Sequence, residues 1–489
     1  MAAFAVAATL MMVATNCSGD DDADGMSGRA DAPTAASTAP ESSSPAGDDD
    51  PAAAPEATAA TADEGAEVGS VGPGSDSGDN DYLFDQEQMH TFEVNLPEAS
   101  LAELDADPAA EEYVEASLTF EGETIEPIGV RYKGSVGAFV GCVDGPDPFS
   151  PSGKKTCTKL SLKLKMNWRD PDAEFYGVRA VQLHSLNFDQ TLMHERLGYW
   201  MFREMGVPAP RSTHARVVVN GEYIGVFALA EAIDGRFARE NFDDGTGNLY
   251  KEVWPLDPTG AARTTEAYIS ALETNEDEPS AAIISAFATE LAAAAPDDRL
   301  AVIDRWTDLE TLLTTMVVDR AIRNDDGPLH WYCFGPCEPH NFFWYEDPST
   351  LKMTLIPWDL DLSFDSVEPN STSGPVIAIA DPWGEITDDC QPFTFGTFGL
   401  QQKSAACDPL LGSLATLDDD FQRIRSDLLA GPFSEERIDA QLAAWTAQIE
   451  SSVAEAAELH DDALSVARWE SYLKRLTQAI TESRNGDGR

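Results

Sequence analysis

The sequence predicts an α+β fold of two lobes, a β-rich lobe followed by a helical one. Two patterns carry that prediction. Between residues 90 and 132 apolar and polar side chains alternate, as half-buried antiparallel strands require. Between 262 and 323 the chain turns Ala- and Leu-rich, with apolar residues at helical spacing. A third observation sets the scale. With 489 residues, 43% of them hydrophobic, and ten Trp, the chain can bury a large core, as roughly two to three ordinary domains or one two-lobed unit.

The N-terminal stretch belongs to neither lobe. MAAFAVAATLMMVATN is apolar and uncharged up to Cys17. It is shorter than the roughly 20 apolar residues of a spanning helix and reads as an export leader over residues 1–17. Cys17, followed at once by acidic residues, stands as in a bacterial lipoprotein, so a lipid on Cys17 and plain secretion are the two readings. Residues 18–82 hold 16 acidic side chains against Arg29 and almost no aliphatic surface. That is the composition of a disordered, self-repelling tether. The whole chain carries a net charge of −54. Such a chain repels phosphate backbones and anionic lipid. This argues against nucleic acid as a partner and leaves a lipid at Cys17 as the route to a membrane.

The β-rich lobe is expected over 83–233. HTFEVNL, VEASLTFEG and IEPIGVRYKG read as strands, followed by KKTCTKLSLKLKM and VRAVQLHSL. A helix follows at TLMHERLGYWMFREMG, closed by Gly206 and Pro208. ARVVVNGEYIGVFALAEAID then reads as a hairpin about Asn220-Gly221, a strong two-residue turn signal. The helical lobe is expected over 234–485. NLYKEV allows one more strand, and Thr307-Asp-Leu-Glu310 has the form of a capping box. Leu309, Leu312, Leu313, Met316 and Val317 then define a buried face, as do Trp469, Tyr472, Leu473, Leu476 and Ile480 near the C-terminus.

Cysteine usage agrees with export. Apart from Cys17 there are six: Cys142 and Cys157, Cys333 and Cys337, Cys390 and Cys407. Three local pairs in Gly- and Pro-rich segments suggest disulfides between neighbours in an oxidising compartment. A zinc site is the rival reading, without the paired C-x-x-C spacing that would favour it.

The chemistry gathers between 324 and 364. A buried helix ends at Asn324-Asp325-Asp326-Gly327. A Cys-containing insertion leads to the strand His340-Asn341-Phe342-Phe343-Trp344-Tyr345, and a turn to the return strand ending Trp358-Asp359-Leu360-Asp361. In a hairpin, the start of one strand lies beside the end of the other. Asn341 and Asp359 should therefore emerge together, close to the acidic helix end. Several carboxylates in one place are costly unless a metal neutralises them, and oxygen ligands suit Mg²⁺ shared with a phosphate better than zinc. Phosphoryl transfer from a nucleotide needs such a set: an Asp at the attacking hydroxyl, an Asn and an Asp on metal, and a Lys on the phosphates. Lys133 in the Gly-containing turn Arg-Tyr-Lys-Gly and Lys159, Lys163 and Lys165 on one alternating strand face are the lysine candidates.

At these residues the chain resembles the spore coat protein H (CotH) family of secreted, atypical protein kinases. The resemblance rests on GVRYKGSVG, KLSLKLK, the run from LMHERLGYWMFREMGVPAPR through VNGEYIGVFALAEAID, NLYK, RNDDG and HNFFWYEDPSTLKMTLIPWDLDLSF, over about 83–365. It implies a two-lobed atypical protein-kinase-like fold that uses ATP and Mg²⁺ or Mn²⁺ to phosphorylate Ser or Thr. By motif position it implies Asp326 as the catalytic residue, Asn341 and Asp359 as metal ligands, and Lys159 as the preferred phosphate lysine. It also implies Glu231 near the nucleotide. Asp361 stands open between metal ligand and a loop residue bonded to backbone. The chain departs from the family pattern in the longer insertion with Cys333 and Cys337, and in Ser-Val-Gly where Asn-Ser-Ser is usual.

Plainer readings stand beside these. Asp325 and Asp326 alone would be a solvated turn; Asn341 and W-D-L-D in order reverse that. His330 and His340 read as hydrogen-bonded rather than ligating, and Lys163 and Lys165 as a solvated strand face. His184, His194 and Glu195 read as structural, although Glu195 or Arg196 can steady the site from the lobe helix. The functional expectation is an exported kinase that transfers phosphate from Mg-ATP to Ser or Thr of envelope or surface proteins. The alternative is an inactive surface adhesin on the same fold. Calcium-dependent adhesion through Asp20-Asp21-Asp22-Ala-Asp24 is weaker, since that run lacks the Gly and Glu of an EF-hand loop.

Overall fold

Period-two alternation in the first half of the chain closes into a barrel. The computed structural model describes residues 80–486, apart from 135, 140, 148–149, 325, 334, 365–382 and 396–399. The leader, most of the tether and Asp325 lie outside the described residues, and residues 80–83 already form a short helix. Seven strands follow: β1 (His90–Asn95), β2 (Val114–Phe120), β3 (Glu123–Tyr132), β4 (Leu162–Lys165), β5 (Ala180–His184), β6 (Ser212–Val219) and β7 (Glu222–Ala230). Their order is β1-β2-β3-β4-β5-β7-β6, with β1 parallel to β6 to complete the ring. Phe92, Val94, Leu118, Val130, Leu164, Val217 and Phe227 fill it. Closure removes the exposed strand edges an open sheet would carry. Asn220 (φ 49°) and Gly221 (φ 81°) turn the hairpin β6–β7, as the Asn-Gly pair predicts.

Two expectations within the barrel need correction. KKTCTKLSLKLKM is not one strand, because only Leu162–Lys165 pairs with β3 and β5. The Cys142–Cys157 disulfide and the bonds Thr156 N–H to Cys142 C=O and Asp144 N–H to Lys154 C=O take the first half away to a loop. Lys159 therefore precedes the strand and does not share its face. Lys163 is not on a solvated face either; it is 6% exposed, opposite Arg131 and Gln182.

Seven further strands belong to the rest of the chain: β8 (Asn248–Lys251), β9 (Trp331–Cys333), β10 (Cys337–Glu338), β11 (Phe342–Asp347), β12 (Lys352–Pro357), β13 (Phe393–Phe395) and β14 (Leu400–Lys403). They form a three-stranded sheet, β12-β11-β8, and a four-stranded one, β10-β9-β14-β13. The first sheet shares a second hydrophobic core with the helices, through Trp254, Trp344, Tyr345, Met316, Val317, Trp445 and Trp469. The helix Leu309–Ile322 is central there: every residue from Leu312 to Ile322 is buried, so it is enclosed rather than buried on one face. Its N-cap is Asp308, whose carboxylate accepts Thr311 N–H at 2.8 Å. The expected cap was one residue early, because the Thr307 hydroxyl is spent on the Ile303 carbonyl at the end of the preceding helix.

The helix His194–Glu204 lies between β5 and β6 in the chain, yet Leu197, Tyr199, Met201 and Phe202 belong to the second core. It joins the two cores. The C-terminal helices add straps: Arg216 donates to Ser452 Oγ and Glu455, Tyr223 to the Ser452 carbonyl, and Thr158 binds Asp462 through backbone and hydroxyl. Disulfides join Cys142–Cys157, Cys333–Cys337 and Cys390–Cys407, pairing neighbours as the spacing suggested. Among the described residues no helix is long and apolar enough to cross a membrane.

One contact ties this packing to the candidate chemistry. Gly198, on the joining helix, lets Leu360 and Ile322 approach so closely that a Cβ there would meet Leu360 Cδ1 at 2.8 Å and Ile322 Cδ1 at 3.5 Å. Leu360 lies between Asp359 and Asp361, and Ile322 ends the central helix. Gly198→Val should overpack this junction and cost about 1–3 kcal/mol, read as a lower denaturant midpoint at unchanged slope.

Candidate active site

Backbone turns set the site before any side chain does. Arg323, which ends the central helix, has φ 50°, and Glu252, Asn341 and Asp359 have φ 51°, 57° and 52°. L-residues seldom adopt this left-handed conformation, and clusters of such residues gather where a structure over-determines them. Here the determinants are visible. Strand β11 pairs with β12 so that Phe342 faces Pro357, and the Trp358 N–H donates to the Asn341 carbonyl at 3.1 Å. Strand β11 also pairs with β8, and the Glu252 N–H donates to the Phe342 carbonyl at 3.0 Å. The Asp359 N–H donates to the Tyr199 hydroxyl of the joining helix at 3.1 Å. Past Asp361, the Phe364 N–H returns to the Ile322 carbonyl at 2.8 Å. Asn341, Glu252 and Asp359 thus leave adjacent strand ends beside the loop that follows the central helix.

That loop brings Asp326 to Asn341. The Asn341 amide Nδ2 donates to an Asp326 carboxylate oxygen at 2.9 Å and to its carbonyl at 3.0 Å. The Tyr332 side chain acts on the same carboxylate in the lowering direction. The Asn341 N–H donates to Glu252 Oε1 at 3.1 Å. Burial, then the charges of Asp359 and Glu252, pushes Asp326 well above the ordinary carboxylate range. Burial likewise raises Asp359, with Glu195 and Glu252 acting in the same direction and His184 and Lys133 opposing. Asp361 is pushed well up by burial and by Asp359, Glu195 and Asp326. The charge of Asp359 thus raises both Asp326 and Asp361, and that of Asp326 raises Asp361. The Asp361 carbonyl accepts His194 Nδ1–H at 3.0 Å.

A lysine faces the group from the barrel. Lys133, just after β3, donates to Gln182 Oε1 and to His184 Nε2, the latter at 3.1 Å, and lies 5.4 Å from the centre of the Trp358 ring. His184 Nδ1 bonds the Glu195 carboxylate at 2.8 Å. A neutral imidazole that donates from Nδ1 accepts at Nε2. The chain of bonds from Glu195 through His184 to Lys133 is thus consistent in every proton. His184 and Glu195, expected to be structural, belong to the site's surroundings.

The bonds described for the other sequence candidates run to other residues. Lys159 is half-buried, with its ammonium on the Val226 carbonyl at 2.9 Å and 5.3 Å from the centre of the Phe227 ring. Burial lowers it to about 8, and the charges that oppose this are Asp189 and Asp462. Glu231, at the end of β7, accepts from Arg211 through both backbone and guanidinium. His330 bonds Gln402, as a plain hydrogen-bonded histidine would. Sequence reasoning passed over Glu252, Gln182 and Tyr332. Glu252 directly follows the NLYK stretch, which was the one available signal. Gln182 and Tyr332 carry no motif, and only the fold brings them in.

A second buried acid supports the loop. Asp319, on the last turns of the central helix, accepts Asn324 Nδ2 at 2.9 Å, and the Asn324 N–H donates to the Asp319 carbonyl at 3.1 Å. Burial raises Asp319 to about 7, opposed by the Asn324 bond and the Arg320 charge. A carboxyl raised on folding stabilises the native state at low pH and loses that contribution as pH rises through its folded value. Wild-type stability should therefore fall between about pH 4 and pH 7, by up to about 4 kcal/mol from this group. Asp319→Asn should flatten that part of the profile, as measured by denaturant unfolding across the range.

Comparison with known proteins follows from this geometry. No curated protein matches the chain in sequence. One solved structure, the toxin–antitoxin system HipA, HipB and its operator DNA complex of Shewanella oneidensis MR-1, is 12% identical. The match covers 76% of this chain and 78% of that chain at a TM-score of 0.28, a likeness too slight to build on. The family model for CotH kinase protein matches residues 130–485, from β3 through the C-terminal helices. The α+β architecture, a barrel lobe and a helical lobe with the acidic group at strand and helix ends, is accordingly a two-lobed kinase-like fold. The chain belongs to the CotH kinase protein family.

Proposed function

We propose that the chain is an exported protein kinase that transfers the terminal phosphoryl group of ATP to Ser or Thr hydroxyls of envelope or surface proteins. The observation that carries this reading is the convergence of Asp326, Asn341 and Asp359 on neighbouring helix and strand ends, with Lys133 facing them from the barrel. Family membership implies ATP and a divalent metal in general terms. The residues present fit such an ion. Asp359, Asp361 and the Asn341 amide offer hard oxygen donors, and the elevation of these neighbouring carboxylates marks a site short of positive charge. Among the described residues no three His, Cys, Asp or Glu side chains form a ready cation cage. Mg²⁺ is commonly held by one or two carboxylates, with phosphate oxygens and water completing its shell.

Asn341, Asp359 and Asp361 would hold the ion, which would supply positive charge to offset that of the phosphates. Asp326 accepts the proton of the acceptor hydroxyl as its oxygen bonds to the γ-phosphorus; the bond to the β–γ bridging oxygen breaks and ADP leaves. A carboxylate raised toward neutrality by burial suits that exchange. Asn341 holds Asp326 in place by its two amide bonds. Lys133, fixed by Gln182 and His184, pairs with phosphate oxygens. Three disulfides support export to an oxidising compartment. The acceptor and any lipid on Cys17 are parts of the same proposal.

Incubation with labelled ATP and Mg²⁺ tests it. Asp326→Ala should lower the rate by about 10²–10⁴-fold with nucleotide affinity nearly kept. Asp359→Ala should abolish metal-dependent nucleotide binding in calorimetry. Equal incorporation by both variants and wild type would overturn the reading, and absence of binding at millimolar ATP would favour the adhesin alternative. A thermal measurement is independent of turnover. Mg²⁺ with a non-hydrolysable ATP analogue at about 100 times its Kd should stabilise wild type by about 2.7 kcal/mol, and Asp359→Asn/Asp361→Asn by little.

A further inference from the structure

Arg196, on the joining helix, carries a charge that the phosphoryl-transfer mechanism does not use. It is 2% exposed. Among the described residues every hydrogen-bond partner of its guanidinium is neutral. Nε–H donates to Gln86 Oε1 at 3.2 Å, and Nη2–H to the Gln86 carbonyl at 2.8 Å. Nη1 donates to Gln448 Oε1 and to His214 Nδ1, both at 2.7 Å. The His214 Nε2–H goes to the Leu192 carbonyl at 2.6 Å, which leaves Nδ1 to accept. The guanidinium carbon lies 4.4 Å from the centre of the Trp445 ring. A buried cation without a carboxylate is costly, so these contacts have to offset it.

Gln86 is the centre of that arrangement. Its Nε2 donates to the Phe84 and Ser212 carbonyls at 3.1 and 3.0 Å, and its own carbonyl also accepts Gln448 Nε2–H at 3.3 Å. It thereby links the segment before β1 to strand β6, to the joining helix and to the helix Glu435–Leu459. The segment is itself seated on the barrel. Leu83 and Phe84 belong to the barrel core, Asn80 donates to the Glu240 carboxylate at 2.9 Å, and Arg211 donates to Asp81 at 2.6 Å.

The joining helix therefore has contacts of two kinds on two faces. At about 100° per residue, Arg196 points away from His194 and Gly198. Those two, with Tyr199, hold the turn from Asp359 to Asp361, and Glu195 reaches Lys133 through His184. Arg196 secures the opposite face. We propose that Arg196 is a positioning residue for the acidic turn and for Lys133, seated by Gln86, so that phosphoryl transfer depends on the segment before β1 staying docked. The inference rests on the kinase reading above. With that segment displaced, Arg196 loses both of its bonds to Gln86. The helix is then free to roll, and the groups on its other face move with it.

The test uses the full chain, MgATP and dephosphorylated casein as acceptor probe, with the folded fraction checked by denaturant unfolding. Gln86→Ala removes the side-chain bonds of the half-buried glutamine, and Arg196→Met keeps the stem and removes the fork. Each should lower kcat by about 10–100-fold, as a displacement of about 1 Å among reacting groups does. Because Gln86 acts through Arg196, the double variant should be no slower than Arg196→Met alone. Ile303→Val, which trims the second core elsewhere, should leave kcat unchanged. Unchanged kcat in Gln86→Ala, an equal fall in Ile303→Val, or additive losses in the double variant overturns the proposal. Gln86→Ala decides alone should Arg196→Met not fold. Exchange of the Asp359 amide, whose N–H bonds the Tyr199 hydroxyl, needs no catalysis. It should be about tenfold faster in Gln86→Ala than in wild type. If wild type transfers no phosphate, the kinase reading fails, and exchange still decides the positioning: acceleration supports it and unchanged protection overturns it.

Discussion

The centre of this molecule depends on holding like charges together out of water. Asp326, Asp359 and Asp361 are each half-buried, and each raises or is raised by another. No local preference of the chain would bring them there. Repulsion between buried carboxylates opposes folding until a proton or a cation offsets it, so the surrounding structure has to supply the difference through packing. It does so with two hydrophobic cores and a fully enclosed helix that ends at the site. Stability elsewhere is spent on geometry here, the usual relation between a strained functional site and its scaffold.

The supports are spread across distant parts of the sequence. The Asp359 turn is held by the Tyr199 hydroxyl, the Asp361 carbonyl by His194, and the residue between them by contact with Gly198. All three belong to one helix, inserted between two barrel strands but packed with the helical lobe. The same helix carries Glu195, which reaches Lys133 through His184. A shift of this helix would therefore move the acidic turn and the lysine together. Coupling of that kind needs one rigid element in contact with both groups, and the described bonds provide it.

Much of this was legible in the sequence, for reasons that can be named. Alternation located six of the seven barrel strands closely, and Asn220-Gly221 announced its hairpin, because period and turn chemistry are local properties. The meeting of Asn341 and Asp359 was also legible, since hairpin geometry alone places the first residue of one strand beside the end of the next. Lys159 shows where such reasoning stops. Its alternation with Lys163 and Lys165 looked like one strand face, but the Cys142–Cys157 bond pulls the preceding residues away, and the lysine ends on the Val226 carbonyl. Lys133, from a turn with a weaker pattern, is the one whose charge reaches Asp359. His184, Gln182 and Tyr332 were beyond reach for a plain reason: each meets its partner across the barrel or a sheet, and no spacing in one chain records that.

Charge completes the argument. The net −54 of the chain argues against phosphate as a ligand when taken as a whole. Locally the sign is no different, because Lys133 is set against Asp326, Asp359, Asp361, Glu195 and Glu252. A free nucleotide would add further negative charge to this group and be repelled. A nucleotide that arrives with a divalent cation presents the opposite charge to the carboxylates and hard oxygen ligands to the ion. Under the proposed function, the acidity that disfavours nucleic acid would favour, among phosphate compounds, those that carry their own metal. On this view Lys133 does not attract the ligand; it orients phosphates that the metal has already made acceptable. Its bonds to Gln182 and His184 suit that duty, since they fix the position of its ammonium without cancelling its charge.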